Sequence, residues 1–230
     1  MQIGTGVQRV VMALLVVAVA GCGPSDEAKR MADSAVAAAA RANARSAAGD
    51  VISARREAQA LLDSARAAYV AGNCTVAAKG LRDAAAFSLA QADSATGAAK
   101  DALASSAAEL ERLSTRVTRG AVTSVKTLDS VFARTHMAEA WYHQQRAVVA
   151  WRGPNGAQAG AELIMVADHL DRAMADAGRV ESESAKTAIA DARALGSKLA
   201  QGIAVQPADV AATFTAVERE VANLFATLKP

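Results

Sequence analysis

The sequence predicts an all-α fold, an elongated antiparallel up-and-down bundle of long helices, and three observations lead there. Hydrophobic residues make up 52% of the 230 residues but aromatics only 3%, and the excess is alanine, which loses least on entering a helix. Turn-forming residues are few and clustered, at Gly72-Asn73, Arg119-Gly120, Gly153-Pro154-Asn155-Gly156 and Gln206-Pro207. Between these points apolar residues recur at three- and four-residue steps, the spacing of one helix face. Short turns between long helices make antiparallel neighbours the economical topology.

The first predicted helix runs from Asp26 to Ala71, with Ser25, Asp26 and Glu27 as cap and negative charge at its start. Its alanine-rich N-terminal half offers almost no large apolar group and reads as a spacer. Ile52, Leu61, Leu62, Ala65 and Tyr69 give bulk to its second half. Gly72-Asn73 stops it, because both residues tolerate a left-handed backbone. A second helix is expected from near Thr75 to Arg119, with Leu81, Ala84, Ser88, Ala95, Ala102, Leu110, Leu113 and Val117 on its inner stripe.

The break at Gly120 rests on a single glycine, which costs a helix only about 1 kcal/mol against alanine. Beyond it a third helix reaches Arg152, with Val125, Leu128, Phe132, Ala138, Tyr142 and Val149 facing inward. A fourth is expected to continue to Ile203 through Leu163, Val166, Leu170, Ala173, Ala177, Val180, Ile189, Ala192, Leu195 and Leu199. The last, Ala208 to Leu228, repeats Val210, Phe214, Val217, Val221, Leu224 and Leu228 as a coiled-coil-like seam. Helices of about 45 residues would make a rod of roughly 65 to 70 Å. Tyr69, Gly72, Ala77 and Leu81 also align with Trp151, Pro154, Ala159 and Leu163 at one offset of 82 residues, which implies two helical hairpins, related by duplication or not.

The amino-terminal segment follows different rules. Arg9 supplies positive charge and Val10 to Ala20 is an unbroken apolar run, too short for the roughly 20 residues that span a bilayer. It ends in Val19-Ala20-Gly21-Cys22, which resembles the lipobox of bacterial lipoproteins. The resemblance implies cleavage between Gly21 and Cys22, a diacylglycerol thioether on Cys22 and an acyl chain on the new amino terminus, enough lipid for stable anchoring. Gly23 follows where a retention signal would place aspartate, so the expected address is the outer membrane facing the periplasm. The domains so read are a signal peptide at 1–21, a lipidated alanine-rich spacer at 22–50 and a helical body at 51–230. Lipidation leaves Cys74 as the single remaining thiol, in a turn where an intermolecular disulfide or an inert helix-start residue are both open. The stretch Ala58 to Asp93 is similar to the alanine-rich, TPR-like hairpins of certain periplasmic lipoproteins, which supports location and fold and adds no chemistry.

Charge excludes one class of function, since 25 Lys+Arg against 23 Asp+Glu make no field for nucleic acid. Phosphate loop, nucleophile elbow, His-Glu-x-x-His, haem-attachment and paired Glu-x-x-His patterns do not occur in the sequence, so no catalytic residues are assigned and a non-enzymatic role is expected. His136, Glu139 and His143 lie on one helix face at steps of three and four. These three, with His169 from the next helix, are the candidate metal ligands. Against them, histidines seven residues apart stand about 10 Å apart along the axis, and a solvated face or inter-helix hydrogen bonds is the plainer reading. Trp141, Tyr142 and Trp151 read as core packing before ligand groove, and Arg41, Arg45, Arg55 and Arg56 as a solvated face. The leading expectation is a lipid-anchored envelope scaffold, spacer or interaction module with no cofactor beyond its lipid. Its partners are the membrane, an envelope protein or a second copy. The alternative is a small-ligand or metal-binding bundle using the His136 to Trp151 segment.

Overall fold

Alanine at contact positions lets helices approach closely, and that is how this chain packs. The computed structural model describes residues 30, 34, 53, 59–179 and 182–228. The lipobox, the spacer and Arg41 to Arg56 lie outside the described residues, apart from Arg30, Ser34 and Ser53. The described body is helical throughout, with no strand among the described residues. It consists of α1 (59–70), α2 (Cys74–Ser94), α3 (Gly97–Thr118), α4 (Val125–Arg152), α5 (Gly156–Asp176), α6 (Glu183–Ala200) and α7 (Pro207–Thr227). No described helix is long and apolar enough to cross a membrane.

The predicted stops act where their chemistry says they should. Asn73 caps α2 by accepting from the Val76 amide at 3.1 Å, a donor that would otherwise be orphaned at the helix start. Gly120 adopts φ of 66°, a left-handed conformation that only glycine reaches without strain, and it separates α3 from α4. Proline opens α7 at its first position, where the missing N–H costs nothing.

Two expected long helices are each a hairpin. The 75–119 segment folds back at Ala95-Thr96, and the 156–203 segment folds back between Asp176 and Glu183. Gly97 and Gly178 take positive φ at these points. Folding back lets each half cover the other's small-residue stripe, which a continuous rod would leave in water. The longest described helix, α4 at 28 residues, is about 42 Å long, so the expected helices of 65 to 70 Å are absent among the described residues.

Neighbours run antiparallel. Ser114 near the end of α3 donates to the Ala78 carbonyl near the start of α2 at 2.8 Å. Arg134 Nε of α4 reaches Glu109 Oε2 of α3 at 2.6 Å. Between α5 and α6, Gly160 and Gly196 face each other so closely that a Cβ on either would collide with the other's carbonyl oxygen. Arg193 clamps the same pair by bonding Asp168 at 2.8 Å and also Asp171.

The core has two main lobes that meet on α4. One joins Leu62, Leu81, Leu110 and Phe132 from α1 to α4. The other joins Met137, Leu170, Ile189 and Val217 from α4 to α7. The inner stripe expected across 81–117 is buried at all eight positions, although two helices carry it. Val149, expected inside, is 65% exposed. The α2–α3 turn stops at Gln145, whose amide donates to Thr96, so the last turn of α4 runs past its neighbour. Trp141 stacks edge-on against Phe225, and Tyr142 is buried; with Trp151 packed on the Leu163 cluster, the aromatics serve packing as expected. Cys74 is half-buried at the start of α2.

Candidate metal centre

A helix shared by two lobes is buried on most sides, and polar residues placed on it must find partners inside. His136, Glu139 and His143 of α4 are all buried, as is His169 of α5, so the solvated-face expectation is corrected, while the inter-helix hydrogen bonds expected as its alternative are present at His136 and His143. The antiparallel pairing of α4 with α5 sets His169 beside the α4 histidines, and all three histidines of the chain gather in one place. His143 and His169 stack with ring centroids 5.3 Å apart and planes 11° from parallel.

Within this cluster one ring nitrogen each from His143 and His169 and one oxygen from Glu139 lie within 4.8 Å of one another. His136 stands outside this set. His136 and His143, seven residues apart on α4, fall in no common set among the described residues, in keeping with their separation of about 10 Å along the axis. The partner that completes the set comes across the helix interface.

Each histidine of this set is held from behind. His143 Nδ1 is 2.6 Å from Glu162 Oε2. Glu162 is fully buried on α5, and its other oxygen accepts from Arg146 Nε at 2.6 Å. Arg146 also donates to the Tyr142 hydroxyl at 2.8 Å, which pairs with Ser94 at 2.9 Å. With both Glu162 oxygens accepting, His143 donates from Nδ1, and its Nε2 faces Glu139 Oε2 at 3.9 Å. This carboxylate–histidine arrangement fixes tautomer and raises ligand basicity at metal sites.

His169 is braced by a longer chain. Its Nδ1 is 3.1 Å from His136 Nδ1, and His136 Nε2 faces Asp176 Oδ2 at 3.6 Å. A proton on His136 Nε2 points at that carboxylate and leaves Nδ1 to accept from His169 Nδ1–H. Nε2 is then the nitrogen His169 presents to an ion. Arg66 of α1 bonds Asp176, lies 2.9 Å from Asp129 and covers the Phe132 ring, tying α1 to the same assembly.

The electrostatics hold His136 neutral. Burial, with Arg172 and Arg66 nearby, lowers the His136 pKa from 6.5 to about 3, so it is uncharged at neutral pH. Burial pushes the Glu139 carboxyl up, against the pull of His143 and a Gln91 hydrogen bond. Glu139 Oε2 is buried with no hydrogen-bond partner, a costly state for a carboxylate that a cation would relieve. Burial also raises Asp176 despite its bond to Arg66.

Glu162, Asp176 and Arg66 were not candidates from sequence. One signal was legible: Glu162 and His169 are seven residues apart on α5, two turns on one face, matching the spacing of His136 and His143 opposite. Compared with family models, curated proteins and solved structures, the chain matches none.

Proposed function

We propose that this chain is a metal-binding helical bundle, carried on the envelope by lipid on Cys22, in which Glu139, His143 and His169 hold one divalent transition-metal ion. The observation that carries the reading is the convergence of these three buried side chains, with Glu139 Oε2 lacking any other partner. Two imidazoles and one carboxylate form a donor set suited to zinc or to iron(II). Zinc bonds of about 2.0–2.1 Å draw ligand atoms closer than 4.8 Å, a contraction within side-chain reach.

A passive scaffold or spacer, the first expectation from sequence, needs only an apolar core. It does not require three histidines and two carboxylates to be desolvated together, each at a cost that hydrogen bonding alone offsets in part. The burial of this cluster therefore favours binding over a purely mechanical role. The membrane address rests on the lipobox and is part of the proposal.

The test is calorimetric titration of the metal-free mature protein with zinc. One ion per chain is expected, with loss of binding in Glu139→Gln and in His143→Asn. Absence of heat and of any histidine resonance change on adding zinc would return the scaffold reading to first place.

A further inference from the structure

Three ligands are fewer than the four that a closed structural zinc site uses, and sites with three protein ligands keep the fourth position for water or substrate. What stands beside this set decides between the two kinds. A cavity of about 10 Å³ lies against Glu139 and His169, bounded by Ser88, Phe87, Leu62 and Gln59. That volume is about what one water molecule needs. Ser88 is 1% exposed and brings a hydroxyl to the cavity wall.

His136 also borders the cavity, but it does not close the site as a fourth ligand. Its Nδ1 is 3.1 Å from His169 Nδ1, its Nε2 is turned toward Asp176, and it stands outside the set of three converging ligand atoms. The remaining walls come from Leu62, Ala84 and Phe87, with Gln59 and Thr135, and the Thr135 hydroxyl is already engaged by the Val131 carbonyl and Ser106.

Resting on the metal-binding reading, we infer that the ion keeps one exchangeable non-protein ligand in this cavity, a monodentate species of one or two heavy atoms such as water, hydroxide or cyanide. Size sets the selectivity. A volume of about 10 Å³, near that of one water, is too small for a sulfate or an imidazole. Charge adds to it, because two neutral imidazoles and one carboxylate leave a divalent ion with a net positive charge that favours a small anion. The Ser88 hydroxyl supplies a hydrogen bond to the bound species. No bond of that species is broken, so this is a binding site for a small ligand on a metal and needs no co-reactant.

The experiment uses the mature protein loaded with cobalt(II), whose visible absorption reports coordination. Cobalt alone should give the intense bands of a four- or five-coordinate site. Equimolar cyanide should shift those bands, while imidazole or sulfate in large excess should leave them unchanged. In Ser88→Val, which fills the cavity and removes the hydroxyl, cobalt should still bind and the cyanide response should be lost. Ser88→Ala keeps the space and should weaken cyanide about tenfold, the scale of one lost hydrogen bond to a charged species. It serves as the readout if the valine variant does not fold. Cobalt bands indifferent to cyanide, or bleached by it with release of cobalt, overturn the exchangeable-ligand inference and leave the metal site standing. A shift with imidazole or sulfate equal to that with cyanide overturns the size limit. Failure of cobalt to bind at all overturns the metal-binding reading itself.

Discussion

Glu162 Oε2 of α5 and His143 Nδ1 of α4 lie 2.6 Å apart in the fully buried interior, and this bond aims the opposite edge of the imidazole at Glu139. Glu162→Gln preserves shape but removes the charge and one acceptor. Zinc affinity should fall roughly 10- to 100-fold, the usual cost of losing an outer-shell partner, with one-to-one stoichiometry retained. Calorimetry gives the affinity, and nitrogen-15 shifts of His143 should report a changed tautomer. Unchanged affinity and shifts would mean that Glu162 plays no orienting role.

His136 gives a pH prediction for the metal-free protein. Its pKa is 6.5 when unfolded and about 3 when folded, so between these values the unfolded chain binds the proton and the native chain does not. Stability from this group is complete above pH 6.5 and is lost as pH falls toward 3, at roughly 1 kcal/mol per pH unit. Glu139 and Asp176, both raised, act in the opposite sense as they take up protons in the native state. The difference between wild type and His136→Gln isolates the histidine. Denaturant unfolding across pH 4 to 7.5 should show a steeper acid loss in wild type; parallel curves would count against a buried neutral His136.

Gly160 and Gly196 face each other where α5 meets α6. A Cβ on Gly160 would stand 2.4 Å from the Gly196 carbonyl oxygen and 2.6 Å from the Ala200 amide nitrogen, both backbone atoms that cannot swing aside. Gly160→Ala should destabilise by about 1–3 kcal/mol or more, as overpacking does. Gly80→Ala is the control. There the nearest atom is the Ala65 Cβ at 3.1 Å, and the gain of about 1 kcal/mol in helix propensity opposes the squeeze. It should be near neutral in the same urea titration.

Cys22→Ser tests the address. The wild-type chain should fractionate with membranes and show a mature amino terminus heavier by its acyl groups, while the variant should be released or remain uncut. Mass spectrometry of both products decides it. A bare, uncut wild-type terminus would remove the anchor and the envelope location together.

Much of the fold is legible in local chemistry. Helix class follows from alanine content, the stops at Gly72-Asn73 and Gly153-Pro154 combine two breaking residues each, and Pro207 marks the last helix start. The stripe through Leu81, Ala102 and Leu113 needs only a period of 3.6 residues, so it survives the break between α2 and α3. The turns at Gly97 and Gly178 were not legible. A lone glycine costs a helix little, and the gain from folding back depends on surfaces elsewhere in the chain.

The candidate site divides the same way. The sequence by itself determined that His136, Glu139 and His143 share one face of a helix and that His169 follows on the next, because those are consequences of backbone geometry. Only the tertiary structure decided which of them converge. The antiparallel register of α4 and α5 brings His169 and Glu162 to His143, leaves His136 outside the group of Glu139, His143 and His169, and places Asp176 behind it. That register comes from packing two small-residue surfaces against each other, a property of the pair that neither helix carries alone.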